Sequence, residues 1–296
     1  MVATKNATTV AQQISLLQKR GMQISDVEKA EECLLDIGYY RLGFYWFPFE
    51  QTFPCLTYRN HQFKESSNFD DVIKLYYFDF DLRNILLKYI SRIEINFRTK
   101  LVYYVSNTYK NNPTWYIDNT VVNDLFLKSP AYKKAIADIN TEDVIKRDLE
   151  FHHTQNAPAW KVIEFMSFGT IIELYKNLNN PTIKCKISNL FGITNPSSLY
   201  KYINTIRRLR NSCAHGKVIF DTHLPQAIPN GVCGQMDTVK TKFAGAYYVF
   251  KYFLNCISTN RASDMQQEMK SAFEQLPDSL RSNIITPLSG LTIEKI

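Results

Sequence analysis

The chain has 296 residues, 45% of them apolar, enough for one large or two modest packed domains and too apolar for a disordered chain. Lysine and arginine number 35 against 28 acids, a formal charge of +7. With a pI of about 8.9, this suits an anionic partner such as nucleic acid while falling far short of histone-like basicity. Six cysteines lie singly, with no CxxC and no Cys/His cluster at metal-ligand spacing, so free thiols in a reducing cytoplasm are expected and a structural zinc is not.

The first eight residues read as a loose tail without an apolar signal core, and no run approaches the roughly 18 apolar residues of a membrane span. A helix follows from Thr9, with Val10, Ile14 and Leu17 on one face and Gly21 as its stop; a second runs from about Asp26 to Ile37. Residues 37–50, IGYYRLGFYWFPFE, fit neither a helical nor an alternating period and predict a turn-rich aromatic plug. Arg41 within it either bonds buried carbonyls or faces a ligand. Residues 51–68 read as loop with a small hairpin.

From Phe69 to about Val105, Leu75, Phe78, Leu82, Leu86, Tyr89, Ile93 and Phe97 recur every three or four residues, which predicts a long core helix. Asp79 with Arg83, and Glu94 with Arg98, are i, i+4 pairs on it. Glu94 lies at the margin of the apolar face, where it would either orient a guanidinium of a neighbouring helix, Arg210, or satisfy Arg98.

Residues 115–130 read as loop with a short helix, and 131–153 as one charged helix ending in His152 and His153. Adjacent histidines point about 100° apart on a helix, and no carboxylate or cysteine stands at a suitable spacing, so metal binding is not expected. After Pro158 an apolar helical run extends to Leu178, interrupted at Phe168-Gly169 by a bend or a close helix contact. A short helix to Leu190 comes next. Beyond Gly216 the chain is loop-like to Gly234. Helices are expected at 238–258 and from Asp264 to about Leu276, followed by short polar pieces. No repeat, P-loop, GxGxxG or GxSxG occurs.

The stretch Leu199–Gly216, LYKYINTIRRLRNSCAHG, is where cations run into a histidine on a single expected helix, with Asn195 as N-cap, Pro196 at the first position and Gly216 past the end. Arg208, Asn211 and His215 fall on one stripe at i, i+3 and i+7, with Arg210 flanking it and long enough to reach across. Guanidinium matches phosphate oxygens and imidazole moves protons near neutral pH, a set suited to phosphodiester chemistry. A plain surface helix with scattered cations has the same spacing.

Arg210-Asn211-Ser212-Cys213-Ala214-His215 resembles the R-N-x-x-A-H motif of the HEPN superfamily. Together with YYRLGFYWFPF (39–49), LYYFDFDLRNILLKYISRIEINFRTKL (75–101) and APAWKVIEFMSFGTIIELYKNL (157–178) it makes the chain similar to abortive-infection (Abi) proteins of the AbiD/AbiF type, from about residue 10 to about 256. The resemblance implies an all-α fold: a HEPN-like helical bundle with an N-terminal helical extension and a short C-terminal helical tail. The expected divisions are 1–64, helical and aromatic-rich and packed on the core; 65–260, the catalytic bundle; and 261–296, a tail that the resemblance does not reach.

It also implies a metal-independent endoribonuclease without cofactors, acting as an RNA-cleaving toxin in phage defence, with two copies of the Arg/His helix meeting across a homodimer. His215 would be the acid/base, Arg210 would hold the scissile phosphate, Asn211 would orient the pair, and Glu94 would fill the family's acidic position. Arg208 and Arg98 are supporting candidates; Arg208 stands outside the shared motif. RNA is the expected partner, as substrate and as a regulatory small RNA, with no membrane and no metal. The alternative is a toxin-antitoxin-like module that holds a structured RNA without cutting it.

Overall fold

A computed structural model describes residues 6–296. The fold is all-α; among the described residues, β-pairing is confined to isolated bridges such as Glu50 with Phe63. Among the described residues no helix is long and apolar enough to cross a membrane.

The N-terminal helices α1 (Val10–Lys19) and α2 (Val27–Asp36) start where the cap residues dictate. Thr9 and Gln12 form a capping box, and the Asp26 carboxylate accepts from the Lys29 N–H at 3.0 Å. The aromatic stretch is not turn-rich as expected: Tyr39–Trp46 forms helix α3. Its rings lie on both sides, Tyr45 and Trp46 buried and Tyr40 and Phe44 exposed, so no amphipathic period shows in the sequence.

The organising element is α4 (Phe69–Thr108), 40 residues and about 60 Å at 1.5 Å per residue. Asn68 caps it, accepting from the Asp71 N–H at 2.8 Å, and Asp70 and Asp71 sit in its first turn, where carboxylates favour the helix dipole. Its stripe from Leu75 to Val105 is buried. After the short α5 (Asp124–Leu127), the expected single helix over 131–153 is two, α6 (Pro130–Ile139) and α7 (Asp143–His152). The Thr141 hydroxyl donates to the Asp138 carbonyl at 2.6 Å past the end of the first helix, and the extended backbone at Glu142 starts the second.

The next break falls one residue before the expected Phe168-Gly169. Helix α8 (Ala159–Phe165) stops at Met166, and Ser167 caps α9 (Phe168–Lys176). Gly169 instead marks a close helix contact: a Cβ there would lie 3.4 Å from Arg207 Nη1. Helices α10 (Pro181–Asn189), α11 (Pro196–Ala214), α12 (Phe243–Ile257) and α13 (Thr259–Glu274) complete the bundle, with α3, α8, α10, α11, α12 and α13 all packing on α4.

The segment expected as a C-terminal tail from 261 joins the core. Ser258 caps α13, which starts at Thr259, five residues before the expected start, and Met265, Met269 and Phe273 are buried, Phe273 edge-on to Phe78 with centroids 5.1 Å apart. The last residues are short helical turns, not loose polar pieces, with Leu280, Ile284, Ile285, Leu291 and Ile296 buried. Single apolar residues spaced through a polar sequence carry too little periodicity to reveal that packing.

Candidate active site

Helix α11 buries Leu199, Tyr202, Ile203, Ile206, Leu209 and Cys213. The Asn195 side chain accepts from the Ser197 N–H at 2.8 Å, and Pro196 takes the first helical position. His215 is the C-cap, one position past the last helical residue, and Gly216 takes a left-handed φ of 63°. Bonds from Gly216 N–H to Cys213 carbonyl (3.0 Å) and from Lys217 N–H to Ser212 carbonyl (2.9 Å) form a Schellman motif. The backbone at His215 is therefore fixed while its side chain stays exposed.

The segment after His215 is held by α3 and α4. Arg41 donates to the Gly216 carbonyl, which settles its role as a carbonyl-binding residue. Arg83 Nη1 donates to the Lys217 carbonyl at 3.3 Å. Asp79 accepts from the Ile219 N–H at 2.8 Å and the Phe220 N–H at 3.2 Å, from the Tyr45 hydroxyl at 2.9 Å, and from its ion-pair partner Arg83. Burial pushes the Asp79 carboxyl up, against Arg83 and the N–H and O–H donors that favour its charge. Sequence reasoning missed that Asp79, Arg83 and Tyr45 support the site. The available signal was the position of the Asp79/Arg83 pair: residue 79 lies four after Leu75 and three before Leu82, inside the buried stripe.

Glu94, on α4 and mostly buried, serves both expected partners. Oε1 lies 3.3 Å from Arg98 Nη2, and Oε2 lies 3.9 Å from Arg210 Nε. Arg98 is further anchored by the Met166 carbonyl at 3.1 Å and by Glu164 at 3.5 Å. The Arg210 side chain is 43% exposed, and its two Nη groups have no partner among the described residues. Glu94 thus flanks one edge of the guanidinium at ion-pair distance and leaves the fork open for an anion.

Arg210 does not reach across to the Arg208 stripe as expected. Two residues on a helix are about 200° apart; Arg210 turns to α4, whereas Arg208 lines a cleft with Lys201, Asn204 and Thr205. Asn211 lies one turn before His215, and its carbonyl accepts the His215 N–H at 3.0 Å. No hydrogen bond or ion pair joins Arg210 to His215 within the described chain. The structure therefore brings Glu94, Arg98 and Arg210 together, and braces the end of the helix at His215 separately through Arg41.

Cys213, inside the motif, is no rival nucleophile. Burial, with Asp79 nearby, raises its thiol to about 12, so it stays protonated at neutral pH. Iodoacetamide is expected to label exposed Cys55 in the native protein at pH 8 and to reach Cys213 only after unfolding, a pattern read by peptide mass spectrometry.

At the paired histidines one sequence reading is corrected. A carboxylate does stand one turn away: Asp148 Oδ1 lies 3.5 Å from His152 Nε2. Asp148 is also the salt-bridge partner of Lys161, which ties α7 to α8, and no group of three or more candidate metal ligands occurs among the described residues.

The family model for Abi-like proteins matches residues 32–221, well over half of the chain. The chain belongs to the Abi-like protein family. The matched region of this Abi-like protein runs from α2 to the residues that Asp79 holds, and includes Glu94, Arg210 and His215. No curated protein and no solved structure matches the chain.

Proposed function

We propose that this Abi-like protein is a metal-independent endoribonuclease acting in abortive-infection defence, a HEPN-type toxin whose site is completed by a second copy of the chain. The observation that carries the reading is Arg210, paired at one edge with Glu94 at 3.9 Å and with its fork open, on the helix that ends at an exposed, backbone-fixed His215. Family membership supports the defence role.

In this reading the substrate's 2′-oxygen attacks the adjacent phosphorus, the bond to the 5′-oxygen breaks, and a 2′,3′-cyclic phosphate is left. Arg210 offsets the charge of the pentacoordinate phosphorane. His215 takes the proton from the 2′-hydroxyl or delivers one to the 5′-oxygen. One imidazole does not serve both steps at once, so two protomers, each bringing a His215, supply base and acid. Asn211, a turn before His215, orients the Arg210/His215 pair.

The test compares purified wild type with His215→Ala on RNA in EDTA. Wild type is expected to cut; His215→Ala is expected to fold and dimerise normally and to leave the RNA intact. An unchanged cleavage rate in His215→Ala would sink the reading, and salt-sensitive binding without cleavage by either protein would favour a module that only holds RNA.

A further inference from the structure

Helix α11 carries Lys201, Arg207, Arg208 and Arg210, and only Arg210 has a carboxylate within 4.0 Å among the described residues. Arg207 donates from Nε to the Asn204 side-chain oxygen at 2.7 Å. Among the described residues Lys201 and Arg208 have no side-chain partner. Two turns apart on one face, they line a cleft of about 290 Å³ whose other wall is the loop through Gln226 and Pro229. No acidic residue lines it. The Arg208 Nε is buried without a hydrogen-bond acceptor, an uncommon condition for a guanidinium nitrogen.

The wall opposite is fixed before any ligand arrives. Leu224 N–H bonds the Thr241 carbonyl at 2.7 Å, Ile228 N–H bonds the Lys240 carbonyl at 2.8 Å, and the Tyr202 hydroxyl donates to the Pro229 carbonyl at 3.1 Å. Leu224 and Ile228 are buried anchors. The Asn204 and Gln226 side-chain amides add neutral donors to the two cations. A preformed cleft with two uncompensated cations, amide donors and no acid fits an oxyanion, and its volume, at the low end for ligand pockets, suits a phosphate-sized group.

We propose that the cleft between α11 and the 224–229 loop is a phosphate subsite, separate from the Arg210 position, in which Lys201 and Arg208 hold one phosphate group. Its use for a backbone phosphate of an RNA strand, remote from the scissile one, rests on the ribonuclease reading; the cleft's affinity for phosphate does not. The source is either such a strand or free phosphate.

The test uses the full chain carrying His215→Ala, so that any RNA stays intact, with Lys201→Ala/Arg208→Ala added. Fluorescein-labelled single-stranded RNA is titrated by anisotropy over a series of KCl concentrations, and inorganic phosphate is titrated by ³¹P NMR. For a strand, the double variant weakens RNA binding roughly tenfold and lowers the log-affinity against log-salt slope by about one. Exposed Lys134→Ala leaves both unchanged. For free phosphate, the phosphate titration is lost while the RNA slope stays. Circular dichroism melting and Arg208→Lys, which keeps the charge, separate these from misfolding. If neither the RNA slope nor the phosphate titration changes, the subsite is overturned. Cleavage by protein with native His215, run alongside, reports separately on the ribonuclease reading.

Discussion

Asp79→Ala is expected to lower stability by about 3–5 kcal/mol, the cost of breaking a buried ion pair from one side. The side chain is fully buried, its partner Arg83 is 5% exposed, and it accepts from two backbone N–H groups and a tyrosine hydroxyl. Alanine leaves a buried guanidinium uncompensated and the Ile219 and Phe220 N–H groups without an acceptor. For a chain of this size the melting temperature should fall by roughly 5–8 °C.

Replacing both partners by apolar residues, Asp79→Leu with Arg83→Met, should cost less than the single change, because no stranded charge remains. The exposed pair Lys29–Asp70 gives the scale of an ordinary surface contact: Lys29→Ala should cost less than about 1 kcal/mol. Thermal melts of the three variants beside wild type check the ordering. RNA cleavage should fall with Asp79→Ala although no residue of the catalytic motif has changed, since Asp79 holds the chain that leaves His215.

Arg210→Ala is expected to reduce kcat by roughly 10²–10³-fold, the usual loss when one charge-stabilising donor is removed from a transition state. Glu94→Gln removes the charge that orients Arg210 from 3.9 Å and should give a smaller loss in the same parameter. Arg208→Ala acts elsewhere: its guanidinium lies in the cleft with Lys201, and its expected effect is a raised KM. Steady-state kinetics on one labelled RNA separates the two. Equal losses of kcat for Arg208→Ala and Arg210→Ala would mean that the two arginines share one site despite lying about 200° apart on α11.

Much of this architecture is legible in the residue order where the interactions are local. The stripe of α4, the Asn195-Pro196 start of α11 and its Gly216 stop all follow from spacing and cap chemistry. Helix α3 was hidden because its aromatics lie on both sides. The C-terminal turns were hidden because each contributes only one or two buried residues. The 200° between Arg208 and Arg210 was available from their numbering; the length of the arginine side chain made a shared face look feasible, and the carboxylate of Glu94 on α4 decides otherwise.

The support behind His215 was out of reach for a different reason. Arg41, Tyr45, Asp79 and Arg83 meet residues 216–220 across about 140 or more positions of sequence, and no periodicity encodes such a meeting. The Asp79/Arg83 pair announced only that something charged was buried. Two of the blocks that carry the family resemblance, 39–49 and 75–101, contain these four residues, so part of that resemblance marks the brace of the motif as well as the motif itself.

The most direct measurement is the chemistry of the cut ends. RNA incubated in EDTA with wild type and with His215→Ala, its products resolved by mass spectrometry, is expected to show 2′,3′-cyclic phosphate and 5′-hydroxyl ends with wild type and intact RNA with the variant. Ends bearing a 5′-phosphate, cleavage that EDTA stops, or the same products from His215→Ala would contradict catalysis by Arg210 and His215.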